Sequence, residues 1–305
     1  MERNEKPAER RALTDQGLSM MTLLHDLWCQ RRTEFKVFCS ATLASAVVCG
    51  VAWAETFSVG IVPQFEPRQL AEIWTPILAE LENRTGHQFV MRGSPEIPEF
   101  EQDFIEGAFD FAYMNPYHFL VAAEAQGYYP VVRDGGRELF GVLVVAKDSD
   151  FQTVADLEGR TIAFPAPNAL GAALLMRADL DRIFGISYDA TYVTTHSSAY
   201  LNVALGEMDA AGGVMATFNS IDPYVRDRLR IIYETTRVPP HPVVAHKRVD
   251  PSIVENVRAA FLAMGETEDG KALLAKIPIR KVVPASAEEY EILNELQLRN
   301  YWVDK

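Results

Sequence analysis

Cysteine is nearly missing from this sequence. Its 305 residues hold three, Cys29, Cys39 and Cys49, and none beyond position 49. The long remainder therefore has no disulfide scaffold, no thiolate metal site and no cysteine nucleophile, and its fold must rest on packing. Enzyme and phosphate-loop signatures are missing too. There is no Gly-x-Ser-x-Gly elbow, no histidine pair has zinc-motif spacing, and Gly212-Gly213 lacks the lysine of a phosphate loop. Nothing in the sequence calls for a cofactor or a metal ion. Positive charge is scarce: 29 Lys/Arg face 42 Asp/Glu, a net charge of −13. Residues 1–54 contribute seven basic and six acidic side chains, which leaves the rest near −14. So acidic a body argues against nucleic acid as a partner. A small anion stays open, since an enclosed site reads nearby donors and dipoles rather than total charge.

One long apolar run is present, Val37 to Trp53. At ~17 residues it lies at the lower edge of what spans a bilayer. Arg31, Arg32 and Lys36 precede it and Ala52-Trp53-Ala54 closes it. A basic flank, an apolar core and an Ala-x-Ala exit make a secretory signal. The expectation is export to the periplasm, cleavage after Ala54 and a mature chain beginning at Glu55. An uncleaved membrane anchor is the competing reading of the same run.

Beyond Ala54, strand and helix patterns alternate. Phe57–Val62 predicts a buried strand. Leu70, Ile73, Trp74, Ile77, Leu78 and Leu81 recur at helical spacing, with Gly86 placed to stop the helix. Strands are expected at 88–91 and 109–113, and helices at 100–106 and 116–125, the last opened by Pro116. Leu139–Ala146 reads as a central strand. Thr153-Val-Ala-Asp156 matches a capping box with aspartate in place of glutamate. It leads to strand 161–164, helix 169–184, strand 191–194, helix 197–205, strand 209–214, helix 217–226 and strand 229–233. A strand at 243–245 and a helix opened by Asp250-Pro251 follow. Such βα alternation predicts two doubly wound α/β lobes with parallel sheets. The expected division is 55–146 with 243–305 as a discontinuous first lobe and 147–242 as the second. Ligands of open α/β sheets bind at the carboxyl ends of the strands, here in a cleft between lobes.

Five segments carry a resemblance. They are Val59-Gly-Ile with Trp74-Thr-Pro-Ile-Leu, Asp110-Phe-Ala-Tyr-Met-Asn-Pro, Lys147-Asp-Ser with Asp156-Leu-Glu-Gly, Ala166-Pro-Asn168, and His196 with Gly206-Glu-Met-Asp209. In this order they resemble the periplasmic phosphate/phosphite/phosphonate-binding family, substrate-binding components of ABC importers. The resemblance implies a type II periplasmic-binding-protein fold, two hinged lobes closing on a small solute, and a membrane ABC permease as partner. Phosphonate binders of the family carry Ser-Thr-Ser after the Pro-Asn, where this sequence has Ala169, Leu170 and Gly171. The acidic residues that hold a ligand's amino group in the family fall at Ala216 and His241, while Tyr113 and His196 match. The departures shift the implied ligand from an amine-bearing one to an anionic or neutral one, with a small oxyanion as the expectation.

The candidate site follows from these positions. Asn168 is expected to cap a helix whose first-turn N–H groups, at Ala169, Leu170 and Gly171, offer an anion site without hydroxyls. His196, Ser197 and His241 can donate to an anion, the imidazoles either neutral or protonated. Tyr113 supplies a ring and a hydroxyl, and Asn115 and Thr217 stand on neighbouring loops. Two rival readings remain. The same fold can sense a ligand for a membrane histidine kinase, or the chain can be an exported α/β enzyme using His196 with Ser197 or Ser198.

Overall fold

The computed structural model describes residues 54–304, so the expected signal lies outside the described residues. Among these, no helix is long and apolar enough to cross a membrane. The chain begins with β1 (Thr56–Ile61), α1 (Pro67–Thr85) and β2 (Gln88–Gly93). Helix α1 turns Leu70, Trp74, Ile77, Leu78 and Leu81 inward, the stripe that the periodicity predicts. Gly86, at φ 75°, ends it in the left-handed conformation that glycine adopts without strain. Next come α2 (Ile97–Ile105), β3 (Phe111–Tyr113), α3 (Pro116–Gln126) and β4 (Tyr129–Asp134). Much later, β10 (Val243–Ala245) and β11 (Val282–Pro284) complete a six-stranded sheet of order β11-β4-β10-β3-β1-β2.

A second sheet has five strands. They are β5 (Gly141–Ala146), β6 (Thr161–Phe164), β7 (Asp189–Tyr192), β8 (Ala210–Val214) and β9 (Leu229–Glu234), in the order β7-β6-β8-β5-β9. Strand β5 shows why its sequence is apolar throughout. Leu143 and Val145 pack into the main core, while Val142 and Val144 join a separate cluster with Tyr200 and Val203 on the opposite face. A strand buried on both sides cannot alternate with polar residues. The connection after β5 carries the expected capping box, with Thr153 and Asp156 each bonding the other's backbone.

Three expectations need correction. The division at 146 puts Leu139–Ala146 in the first lobe, yet β5 pairs antiparallel with β8 and β9 of the second sheet. A two-sided apolar strand suits the centre of either sheet, so its composition carries no address. The crossings instead run through residues 135–140 and 235–242, where Leu139 and Val238 pair as an isolated antiparallel bridge. The sheets are also mixed rather than parallel, because β10 returns antiparallel to both β3 and β4. The expected helix 217–226 is two helices, Met215–Ser220 (α6) and Pro223–Arg226 (α7), broken where Asp222 caps a turn opened by Pro223. Helices Pro251–Met264 (α8) and Glu268–Leu274 (α9) pack near the six-stranded sheet, α8 capped by Asp250 as expected.

Candidate ligand-binding site

The carboxyl ends of β1, β3, β6 and β8 lead into one region between the sheets. A narrow crevice there is lined by Asn115, the turn Ala169–Ala172, His196 and His241, with Gln64 and Leu139 beside them. Its free volume is about 10 Å³, room for roughly one water molecule.

The turn after β6 is the centre of this crevice. Residues Leu170–Leu174 form a π-helical turn that runs into α4 (Leu175–Arg182). The N–H groups of Ala173 and Leu174 both reach Ala169 O, at 2.7 and 3.1 Å. As at any helix start, the preceding donors at Leu170, Gly171 and Ala172 have no acceptor within the helix. Glycines seat this turn against the sheet. A methyl group added at Gly212 would lie 2.0 Å from Ala172 O, and one at Gly141 would lie 2.0 Å from Gly171 O. Gly212 thus serves close packing of a helix start, whereas Gly213 makes room for the Tyr200 side chain.

Asn168 does not cap that helix. The residue before the turn is Ala169, with no side-chain cap. Asn168 is buried and its amide is committed to the C-terminal segment: Nδ2 donates to Val303 O at 2.9 Å, and Val303 N–H donates to Oδ1 at 2.9 Å. The same Nδ2 lies 2.9 Å from Glu101 Oε2. These partners are 135 and 67 residues away, so no local pattern announces them. The consequence is favourable for binding, because among the described residues no side chain caps the turn's N–H groups.

Two imidazoles border the turn. His196 opens α5 (His196–Ala204) and is buried; Thr217 Oγ1 stands 3.4 Å from its Nδ1. Thr217 has one hydroxyl proton, which goes to Val214 O at 2.9 Å. The Tyr200 hydroxyl lies 3.1 Å from the same Thr217 oxygen. His241 is buried with its ring stacked on Tyr113, centroids 5.3 Å apart, and the Gln64 amide donates to its Nε2 at 3.2 Å. Burial pushes His196 down to about 4 and His241 down to about 3, the latter helped by the nearby His118 and His196. Both rings are therefore neutral at pH 7. Tyr113 is held by its hydroxyl on Ile277 O at 3.2 Å, and burial raises its ionisation well above the ordinary range.

The sequence-predicted residues separate into three sets. Asn115, Ala169, Leu170, Gly171, His196 and His241 meet at the crevice. Tyr113 and Thr217, with His241, line a neighbouring chamber of about 500 Å³. Asn168 and Ser197 line neither: Asn168 holds the C-terminal segment, and Ser197 is exposed on the outer side of α5. Thr195, not a serine, caps α5 by accepting from Ser198 N–H. Asn115 caps α3 through His118 N–H at 2.8 Å and also donates to Asn168 O at 3.4 Å. Sequence reasoning missed Gln64 and Leu139. Gln64 follows a strand end, a position that the carboxyl-end rule could have flagged. Among the described residues, no group of three or more His, Cys, Asp or Glu side chains is placed to hold a metal ion.

A family model described as the periplasmic substrate-binding protein of phosphonate ABC transporters matches residues 59–290. The chain belongs to this family. A relative, the phosphonates-binding periplasmic protein of Escherichia coli K12, is 22% identical over 237 residues, covering 73% of this chain and 70% of the relative. Two solved structures share the fold. The binding protein of a Pseudomonas aeruginosa phosphonate ABC transporter has a TM-score of 0.74 at 17% identity, covering 82% of this chain and 88% of that one. PhnD1 from Prochlorococcus marinus, in complex with methylphosphonate, has a TM-score of 0.74 at 15% identity, covering 81% and 99%. The fold is thus the type II periplasmic-binding-protein fold that the resemblance implies. In the turn after β6 this member of the phosphonate-binding family presents Ala169, Leu170 and Gly171, none of which carries a hydroxyl.

Proposed function

We propose that this protein captures a small oxyanion of the phosphate, phosphite or phosphonate type between its sheets and delivers it to a membrane ABC permease. The observation that carries the reading is the meeting of three unspent helix-start amides with two buried neutral imidazoles in one crevice. Amides at a helix start attract anions through their hydrogens and the aligned peptide dipoles. A hydrogen bond to a charged group is worth about 1.5–3 kcal/mol net, so a few such donors replace the missing hydroxyls. The crevice holds about one water, so an oxyanion enters only as Leu139 and Leu170 give way. Leu139 belongs to a crossing segment between the sheets, which couples ligand entry to their relative movement.

The imidazoles set the pH dependence. In the empty protein His196 stays neutral down to about 4, whereas in an unfolded chain it titrates near ~6.5. Stability of the empty protein is therefore lost as pH falls from 6.5 towards 4, because the unfolded chain binds the extra protons. An adjacent anion raises the imidazole pKa, so binding takes up protons and tightens as pH falls within that window. A thermal-shift and calorimetry panel of methylphosphonate, phosphite, phosphate and 2-aminoethylphosphonate tests the reading. At about 100 times the dissociation constant a ligand stabilises by about 2.7 kcal/mol, a Tm increase of roughly 5–10 °C for a domain of this size. The simple oxyanions are expected to give this shift with proton uptake. Binding of the aminoethyl compound alone would contradict the reading, since Ala216 and His241 offer its amine no carboxylate.

A further inference from the structure

The chamber of about 500 Å³ opens beside the crevice and shares Gln64, Leu139, Val214 and His241 with it. That size suits an organic ligand rather than a bare oxyanion. Its walls include Phe65, Ile73, Phe140, Met215 and Ile279, and its charged residues are the cations Arg137, Arg237, Lys276 and Arg280 with the carboxylates Asp134 and Glu138. Asp134 holds part of this set together. The buried carboxylate accepts from Gly136, Arg280 and Lys281 N–H at 2.9, 3.1 and 2.9 Å, and from Arg137 Nε at 3.1 Å. It thereby clamps the 134–137 turn to the 280–281 segment, and its own charge is spent on four donors.

The cations are not spent in the same way. Arg137 uses only Nε, which leaves both terminal nitrogens of its guanidinium without a partner among the described residues. The side chains of Lys276 and Arg280 form no ion pair or hydrogen bond among those residues. Arg237 differs, being paired with Glu234 at 3.0 Å and Glu138 at 3.8 Å. Two unpaired cations, Lys276 and Arg280, and the open terminal nitrogens of Arg137 line one cavity, and on a chain of net charge −13 they make a local well for a second anionic group.

We infer that the ligand is an organic phosphonate or phosphate ester with an acidic tail, its body in the chamber and its tail on Arg137, Lys276 and Arg280. This rests on the crevice holding the oxyanion head. It is also the opposite of an aminoalkyl ligand, whose ammonium would meet these cations. Calorimetry on the purified protein compares methylphosphonate, hexylphosphonate, 3-phosphonopropionate and 6-phosphonohexanoate. At least one carboxylate-tailed compound is expected to bind tenfold or more tighter than both unfunctionalised ones, with an affinity that falls as salt is added. In a K276Q/R280Q double variant, both positions being exposed, that gain is expected to vanish while methylphosphonate binding changes less than twofold. Equal binding of tailed and untailed compounds would overturn the inference and leave the crevice reading standing. So would a gain that survives in the double variant, or one matched by hexylphosphonate. If none of the four binds, the crevice reading fails and the inference falls with it.

Discussion

Replacing Gly212 with alanine is expected to weaken methylphosphonate binding at least tenfold and to destabilise the protein by about 3 kcal/mol. The added methyl would sit 2.0 Å from Ala172 O and 2.7 Å from the Phe164 ring. Neither neighbour can give way cheaply, because one is backbone and the other is a buried ring in a neighbouring strand. Overpacking of a tight core typically costs about 1–3 kcal/mol, and a backbone clash belongs at the upper end. The strain is relieved only by lifting the turn away from β8, which re-aims the N–H groups of Leu170, Gly171 and Ala172. Thermal denaturation should show Tm lower by about 6–12 °C. Gly93 is the control. An added methyl there meets no atom within 4 Å, and a Gly93→Ala variant should bind like the native protein. Native affinity in Gly212→Ala would mean that the helix start does not set the site.

Removing residues 301–305 should cost about 2–4 kcal/mol and lower ligand affinity as well, although none of the described residues removed lines the crevice. Val303 satisfies both ends of the buried Asn168 amide, and Arg177 donates to Tyr301 O at 2.6 Å. Trp302 packs against Tyr117 and His118, with centroids 5.6 and 6.0 Å away. The segment thus runs from α3, beside the six-stranded sheet, to Asn168, two residues before the π-helical turn. Stranding one buried polar group costs about 1–3 kcal/mol, and the loss of the tryptophan contact adds to that. Calorimetry of the truncated chain should show weaker binding together with the drop in Tm. Unchanged stability would mean that the segment is an ornament on the surface.

The sequence is informative where structure is local or periodic. The α1 stripe, the Gly86 stop, the Thr153–Asp156 box and the Asp250-Pro251 start all use contacts within a few residues, and each is found as expected. Strand β4 went unread, since Pro130 interrupts an otherwise strand-like run and its pairing with β10 spans more than a hundred residues. Asn168 shows the limit most plainly: Pro-Asn before an apolar helix has the form of a cap, and only the distant Val303 reveals its other use. Resemblance to the family supplied His196 and His241 as a pair, which composition alone could not. The cations at Arg137, Lys276 and Arg280 lie on distant segments joined by Asp134 and by the pairing of β4 with β11, so their convergence is a property of the fold.

The central claim is that backbone amides of the turn at Leu170–Ala172, joined by His196 and His241, hold the anion. Titrating methylphosphonate into ¹⁵N-labelled protein while following assigned amide resonances tests it directly. The account predicts that the Leu170, Gly171 and Ala172 N–H signals move downfield together, saturating at the dissociation constant found by calorimetry. Binding that leaves those three signals in place while others move would contradict it.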